Sequence, residues 1–142
     1  MANFLDELEP VEPARRGVDL STFEGKRYKL EDVEEMPEMQ FPDPKTGQKR
    51  TVKNMRVRTE VITNLEKSDG TKIPVRATEM FPLKQKTDGS WGWSTHEKGK
   101  LKRFMDKQKV SEPKNLFDGK HTAIVRLREG SDGNNYLGFF TE

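Results

Sequence analysis

Residues 53–62, KNMRVRTEVI, contain the clearest alternation of apolar and charged residues in the chain. In a strand, successive side chains point to opposite faces. The residues predicted to face a core are Met55, Val57, Thr59 and Val61. The residues predicted to face solvent are Arg56, Arg58 and Glu60. The stretch therefore predicts a strand with one buried face and one mostly basic face.

The residues that follow predict a hairpin. The Asp69–Gly70 pair is typical of a tight reversal, and residues 73–81, IPVRATEMF, alternate again. Pro74 has no N–H to donate to a strand ladder, so we expect the third strand to begin at Pro74 or to lie at a sheet edge there.

Three more strands complete the predicted sheet. The first is residues 25–36, GKRYKLEDVEEM, which a long loop over residues 37–50 connects to the second. The fourth is residues 121–128, HTAIVRLR. Residues 129–135, EGSDGNN, predict a tight reversal before a fifth strand, NYLGFF, over residues 135–140.

One helix is predicted between the third and fourth strands, in the stretch SWGWSTHEKGKLKRFMDKQ (residues 90–108). Ser94 and Glu97 match a capping box, and Leu101, Phe104 and Met105 have helical spacing. We expect a helix of about 12 residues starting near Thr95.

Charge is divided unevenly along the 142 residues. Residues 1–48 carry 6 Lys/Arg against 12 Asp/Glu, whereas residues 49–142 carry 20 against 12. The two parts are expected to have different roles, since a basic body attracts polyanions and an acidic segment repels them or folds back on the basic surface. We predict a flexible acidic N-terminal arm over residues 1–22 and one folded domain over residues 23–142.

The order of five strands with a helix between the third and fourth resembles that of the OB-fold single-stranded nucleic-acid-binding proteins. The resemblance covers residues 23–142 and includes a mid-strand glycine, Gly138. It implies a mainly β, five-stranded Greek-key barrel. It also implies an oligonucleotide site on the second and third strands and on loops 1-2 and 4-5, here residues 37–50 and the EGSDGNN turn.

A groove for a single strand needs cations for the phosphates and flat side chains for the bases. The stretch KRTVKNMRVR, residues 49–58, has five cations and no acid. The candidate cations are Lys49, Arg50, Lys53, Arg56, Arg58, Arg76, Arg126 and Arg128. The candidate stacking residues are Phe41, Trp91, Trp93 and Tyr136, with Phe139 a weaker one.

Structural roles compete with these assignments. Trp91 and Trp93, the only tryptophans in the chain, could instead cap the barrel end under the helix. Arg56, Arg58 and Arg76 could be solubilising residues paired with Glu60 and Glu79. Tyr136 and Phe139 point to opposite faces of the fifth strand, so one of them is expected in the core.

Catalytic and metal sites are not predicted. The two histidines, His96 and His121, lack metal-binding spacing, and the chain has no cysteine and no phosphate-binding glycine motif. The acidic cluster EDVEEMPE, residues 31–38, does not match a calcium loop. We therefore expect no enzyme activity and no cofactor.

The prediction is a protein that binds single-stranded DNA with little sequence preference in replication, recombination or repair. An RNA-binding OB domain and a protein-protein adaptor on the same fold are the alternatives. No apolar run approaches the roughly 20 residues of a membrane helix and the acidic N-terminus differs from a signal peptide, so a cytoplasmic or nucleoid-associated location is expected. A replication or repair partner bound through the arm is a further expectation, and oligomeric state is left open.

Overall fold

The computed structural model describes Leu5, Leu8 and residues 19–141. This part of the chain is mainly β-structure with one α-helix, as predicted. Its elements are β1 (Arg27–Glu35), β2 (Met39–Pro42), β3 (Lys49–Val52), β4 (Asn54–Thr59), β5 (Thr63–Glu66), β6 (Lys72–Val75), β7 (Thr78–Pro82), β8 (Lys84–Gln85), β9 (Trp91–Gly92), α1 (Lys100–Gln108), β10 (Thr122–Glu129) and β11 (Asn135–Phe139). Short 3₁₀ turns cover Leu20–Phe23 and Pro113–Phe117.

The largest sheet has five antiparallel strands in the order β11-β10-β1-β4-β7. The predicted second and third strands meet as the β4–β7 pair, in which Arg56 lies opposite Met80. A bulge between Leu30 and Asp32 shifts the register of β1 against β4. It turns Asp32 and Glu34 to the solvent side of β1, opposite arginines of β4.

The core lies between the inner faces of these strands and one side of α1. Met55, Val57 and Thr59 are buried, as the alternation predicted. The Thr59 hydroxyl accepts a hydrogen bond from Ala77 N at 3.0 Å, which satisfies this polar side chain inside the core. The ring of Phe104 on α1 lies 5.1 Å from that of Phe81, and burial of each such side chain stabilises the fold by about 1.5–3 kcal/mol.

The prediction of five strands was wrong, because the described residues form eleven strands in four sheets. Residues 37–50, expected to be a loop, contain most of the β2–β3 hairpin, which turns through Gly47 at φ 70°. After Thr59 the chain leaves the large sheet and forms the separate β5–β6 hairpin, so Val61 is exposed and not in the core. Pro74 lies within that two-stranded hairpin, opposite Asn64.

The expected closed barrel is also absent from the described part of the chain, because no backbone ladder joins β7 to β11. The carboxylate of Glu79 on β7 accepts the N–H of Phe139 on β11 at 2.9 Å. A side chain therefore occupies the place where a ladder would close the sheet.

The helix lies between the predicted third and fourth strands but begins later than expected. Ser94 Oγ accepts from His96 N at 3.1 Å, and His96 Nδ1 accepts from Lys98 N at 3.1 Å. These local bonds hold a turn in place of a first helical turn, so the capping box is not formed and Gly99 is the N-cap.

Most of the predicted N-terminal arm, residues 1–22, lies outside the described residues, and its boundary stays a prediction. The 3₁₀ turn that follows begins at Asp19, whose Oδ1 accepts from Ser21 N at 3.0 Å. Leu20 and Phe23 pack against the core. Within the described residues, no helix combines the length and apolar character needed to cross a bilayer.

Candidate nucleic-acid interface

Three adjoining concavities form one groove beside the β2–β3 and β8–β9 hairpins. The first, of about 530 Å³, contains Phe41 and Arg50. The second, of about 770 Å³, shares Arg50 with the first and Lys84 and Trp91 with the third, which has about 440 Å³. We call this surface the aromatic groove, and its functional side chains are Phe41, Lys45, Lys49, Arg50, Lys84, Lys86, Trp91, Trp93 and His96.

The aromatic groove is strongly basic. Five of its lining residues are Lys or Arg, and its single carboxylate is that of Asp43. Asp43 is engaged locally, since its Oδ1 accepts from Lys45 N at 2.8 Å. Within the described part of the chain, none of the five cations forms a salt bridge. Lys86 interacts electrostatically with Asp88 in the adjacent turn, beyond salt-bridge distance. The lining residues carry a net positive charge.

Three aromatic rings line the same groove. Phe41 lies on β2 directly opposite Arg50 on β3 and is 50% exposed. Trp93 is 36% exposed and Trp91 is half-buried, and neither belongs to the hydrophobic core. Trp91 Nε1 donates to Glu38 Oε1 at 2.6 Å, which fixes the orientation of the indole. All three rings therefore have surface that a base could stack on.

The β8–β9 hairpin places both tryptophans at this surface. It turns through Gly89 at φ 88°, a backbone conformation that glycine adopts without strain. Asp88 Oδ1 accepts from Ser90 N at 2.9 Å and from Ser90 Oγ at 2.6 Å, and these bonds lower the pKa of Asp88. The turn sets Gln85 opposite Trp91 and Lys84 opposite Gly92, so a lysine lies beside the two indoles.

Three of the predicted phosphate-binding cations instead pair with acids of β1. Arg58 binds Asp32 through two hydrogen bonds, Nε to Oδ1 at 2.6 Å and Nη2 to Oδ2 at 2.9 Å. This contact raises the pKa of the Arg58 guanidinium. The other two pairs are Arg76 with Glu31, at 2.7 Å, and Lys53 with Glu35.

Arginines paired with acids on the sheet face were the structural alternative to nucleic-acid binding. The acids expected as partners, Glu60 and Glu79, are not the ones that Arg58 and Arg76 contact. Glu60 accepts from Lys29 N at 2.7 Å and forms no salt bridge with an arginine of the described part of the chain. Glu79 is buried and binds Lys100 and Arg128. The acids that pair with Arg58 and Arg76 are Asp32 and Glu31 of the acidic cluster EDVEEMPE.

A concavity separate from the aromatic groove, of about 530 Å³, lies on the outer side of β4 and β7. We call it the sheet-face pocket, and it is lined by Arg56, Thr78, Glu79, Met80, Lys100, Arg128 and Tyr136. Arg56 makes only a long contact with Glu34, at 3.6 Å. Tyr136 is 42% exposed, whereas Phe139 is buried, which answers the question of which ring lies in the core.

Arg126 lies apart from both surfaces. It is exposed on β10, and its guanidinium carbon lies 5.8 Å from the centre of the Phe140 ring. The structure therefore brings together Phe41, Lys49, Arg50, Trp91 and Trp93 in one place and Arg56, Arg128 and Tyr136 in another.

Sequence reasoning missed several residues of these surfaces: Lys45, Lys84, Lys86, His96 and Lys100. The sequence does contain a pattern that indicates Lys84 and Lys86. Asp88–Gly89 is the same kind of turn pair as Asp69–Gly70, and a hairpin around it pairs Lys84 with Gly92. No comparable signal exists for Lys100, because its place depends on packing of α1 against β7.

Comparison of the chain with protein-family models, with curated proteins and with solved structures gave no significant match. Among the described residues, no group of three or more His, Asp or Glu side chains is arranged to hold a metal ion.

Proposed function

We propose that this chain binds single-stranded nucleic acid, primarily DNA, along the aromatic groove, with little sequence preference and without catalysis. One observation carries the proposal: five cations and three accessible rings share a continuous groove that contains a single carboxylate. Cations with no salt-bridge partner attract phosphates, and stacking of one base on an aromatic ring contributes about 1–3 kcal/mol.

The arrangement favours an unpaired strand over a duplex. In a duplex the base faces are stacked on one another, so Phe41 and Trp93 would have no ring to contact. Lysine and arginine donate to phosphate oxygens whatever the base, and a ring stacks on any base. Little sequence preference follows from this chemistry.

The strand order supports an OB-type assignment as part of the proposal. The sheet order β11-β10-β1-β4-β7 corresponds to the fifth, fourth, first, second and third strands of the predicted domain. In an OB-type sheet, the β2–β3 hairpin would lie in loop 1-2 and residues 130–134 would form loop 4-5, the two loops that contact oligonucleotides in that fold. The Glu79–Phe139 hydrogen bond would then take the place of the closing ladder.

Intrinsic tryptophan fluorescence tests the proposal, since both indoles line the groove. Titration with a dT oligomer of about 20 nucleotides should quench the emission, because a base stacks on an exposed indole. Arg50→Ala should weaken the binding, whereas Arg126→Ala, which removes the same charge elsewhere, should not. Unchanged fluorescence together with no binding of a labelled oligomer would reject the proposal.

The same titration separates the alternatives. An RNA oligomer of matched length that competes better than DNA would identify an RNA-binding protein. A protein-protein adaptor would respond to neither oligomer. A role in replication, recombination or repair, and a partner bound through the N-terminal arm, would follow only from binding to DNA.

A further inference from the structure

The sheet-face pocket concentrates positive charge around one buried carboxylate. Its lining includes Arg56, Lys100 and Arg128, which come from β4, the start of α1 and β10. The only acid in the lining is Glu79, whose side chain is 4% exposed. The exposed ring of Tyr136 forms part of the wall and lies opposite Arg128 in the β10–β11 register.

Glu79 holds two of these cations in place. Its Oε1 accepts from Lys100 Nζ at 2.6 Å, and its Oε2 lies 3.2 Å from Arg128 Nη2. Oε2 also accepts from Phe139 N, so both carboxylate oxygens are engaged. Glu79 thus joins α1, β10 and β11 to β7 through one side chain.

The three cations keep donor capacity beyond this network. Lysine has three donors, and Lys100 uses two, on Glu79 and on the carbonyl of Met80 at 2.7 Å. Arg128 Nη2 is engaged by Glu79 and by the carbonyl of Phe139, each at 3.2 Å, whereas Arg128 Nε is buried and has no hydrogen-bond partner among the described residues. An acceptor that reached Nε would satisfy a buried donor without breaking the Nη2 contacts. Among the residues that the structure describes, Arg56 has only the 3.6 Å ion-pair contact with Glu34.

We propose that the sheet-face pocket binds one nucleotide of the bound strand. The phosphate oxygens accept hydrogen bonds from Lys100, Arg128 and Arg56, and the base stacks on Tyr136. Glu79 is a positioning residue, which acts by holding Lys100 and Arg128 at the pocket wall and does not touch the ligand. The inference rests on the proposed function, because the ligand is the same polynucleotide.

The pocket and the aromatic groove are neighbours along β7, although they share no lining residue. Met80 lines the sheet-face pocket and Pro82 lines the groove, and both lie on the outer side of the strand. Residues two apart in a strand are separated by about 6.6 Å. A strand seated in the groove therefore reaches the pocket without crossing the acidic row of β1.

Affinity for a dT oligomer of about 20 nucleotides tests the base contact. Tyr136→Ala should weaken binding by about tenfold, since loss of one stack is worth about 1–3 kcal/mol and 1.4 kcal/mol corresponds to tenfold. Tyr136→Phe keeps the ring and should bind within about twofold of the unaltered protein. Phe140→Ala, which removes another exposed ring outside both surfaces, should have no effect.

The salt dependence tests the phosphate contact. Lys100→Gln should make the slope of log affinity against log salt less steep by about 0.7, the value for one phosphate contact on a single strand. A purely structural role of Lys100 would lower the stability without changing this slope. If Lys100→Gln does not fold, Tyr136→Ala and Tyr136→Phe decide the question.

Cross-linking gives a direct readout. A dT oligomer with 5-iodouracil in place of thymine should cross-link to Tyr136 as well as to Trp91 or Trp93, and peptide mass spectrometry identifies the site. Cross-links confined to the tryptophans, together with full affinity of Tyr136→Ala, would overturn the inference and leave the proposed function standing. Absence of any oligomer binding by the unaltered protein would overturn both.

Discussion

The Oε2 atom of Glu79 on β7 accepts a hydrogen bond from the backbone N–H of Phe139 on β11 at 2.9 Å. This bond links the two end strands of the five-stranded sheet without a backbone ladder. One buried carboxylate thus connects two strands that share no backbone ladder, and it sets the position of two cations in the sheet-face pocket.

Glu79→Ala is expected to lower the free energy of unfolding by about 3 kcal/mol, because loss of one partner of a buried ion pair leaves the other charges uncompensated. Lys100 and Arg128 would lose their shared acceptor, and Phe139 N would lose its own. Urea denaturation measures the change. Glu129→Ala, at an exposed position of β10, is the control and should be nearly neutral.

Gly138→Ala is expected to destabilise the protein by about 1–3 kcal/mol, the usual cost of overpacking. A Cβ at Gly138 would lie 2.7 Å from Cδ and Nε of Arg128 and 3.0 Å from Glu79 Oε2. Arg128 is held by Glu79 and cannot move aside without loss of that contact. Gly92→Ala is the matched control, since the closest contact of its Cβ would be the flexible end of Lys86 at 3.2 Å, with ordinary contacts at 3.9 and 4.0 Å beyond it. Equal stability of the two variants would show that Arg128 is not constrained.

Arg58→Ala and Arg50→Ala are expected to have opposite effects, although each removes one positive charge. Arg58→Ala breaks the two hydrogen bonds to Asp32 and should cost about 0.5–1 kcal/mol of stability, a small value because the pair is partly exposed. It should bind a dT oligomer almost normally. Arg50→Ala should leave the midpoint of the unfolding transition unchanged and weaken binding of the oligomer. A large loss of affinity in Arg58→Ala would mean that nucleic acid displaces Asp32.

Stability should fall in acid below about pH 4, the ordinary pKa range of aspartate. Hydrogen bonds from turn residues lower the folded-state pKa of Asp69, Asp88 and Asp132. A lowered pKa stabilises the folded state above the unfolded pKa, and the contribution disappears as the pH falls through the folded value. Arg58 adds no pH dependence in this window, because the stability that its raised pKa contributes is present at every pH below the unfolded pKa and is lost only at very high pH.

Chemical denaturation between about pH 7 and pH 2 measures this acid effect. Asp88→Asn should reduce the loss, since it removes one of the titrating groups while keeping an acceptor for Ser90. A free energy of unfolding that stays constant down to about pH 2 would contradict the assigned turn hydrogen bonds.

The predictable part of the fold is the part that burial dictates. Alternation in a strand reports which side is buried, and it placed Met55 and Val57 in the core. Helical spacing did the same for Phe104, although the helix starts five residues later than expected because side-chain bonds around His96 compete with it.

The unpredictable part depends on register between distant strands. Asp32 lies opposite Arg58 in a strand pairing that contains a bulge in β1, and a bulge has no reliable pattern in one sequence. Glu79 lies on the buried side of β7, where its partners come from α1 and β10. For the same reason the position of the candidate site differs from the one predicted. It lies on the hairpins that carry Phe41, Arg50 and Trp93, whereas the sequence predicted the arginine face of the sheet.

Affinity for a dT oligomer of about 20 nucleotides, measured as a function of salt, decides whether the aromatic groove binds nucleic acid. If three to five groove cations contact phosphates, the slope of about −0.7 per contact predicts a loss of about 40- to 500-fold between about 50 and 300 mM salt. Tryptophan emission should be quenched at each salt concentration where the oligomer is bound. Affinity that stays constant over this range, or binding with unchanged emission, would contradict a basic, ring-lined groove as the nucleic-acid site.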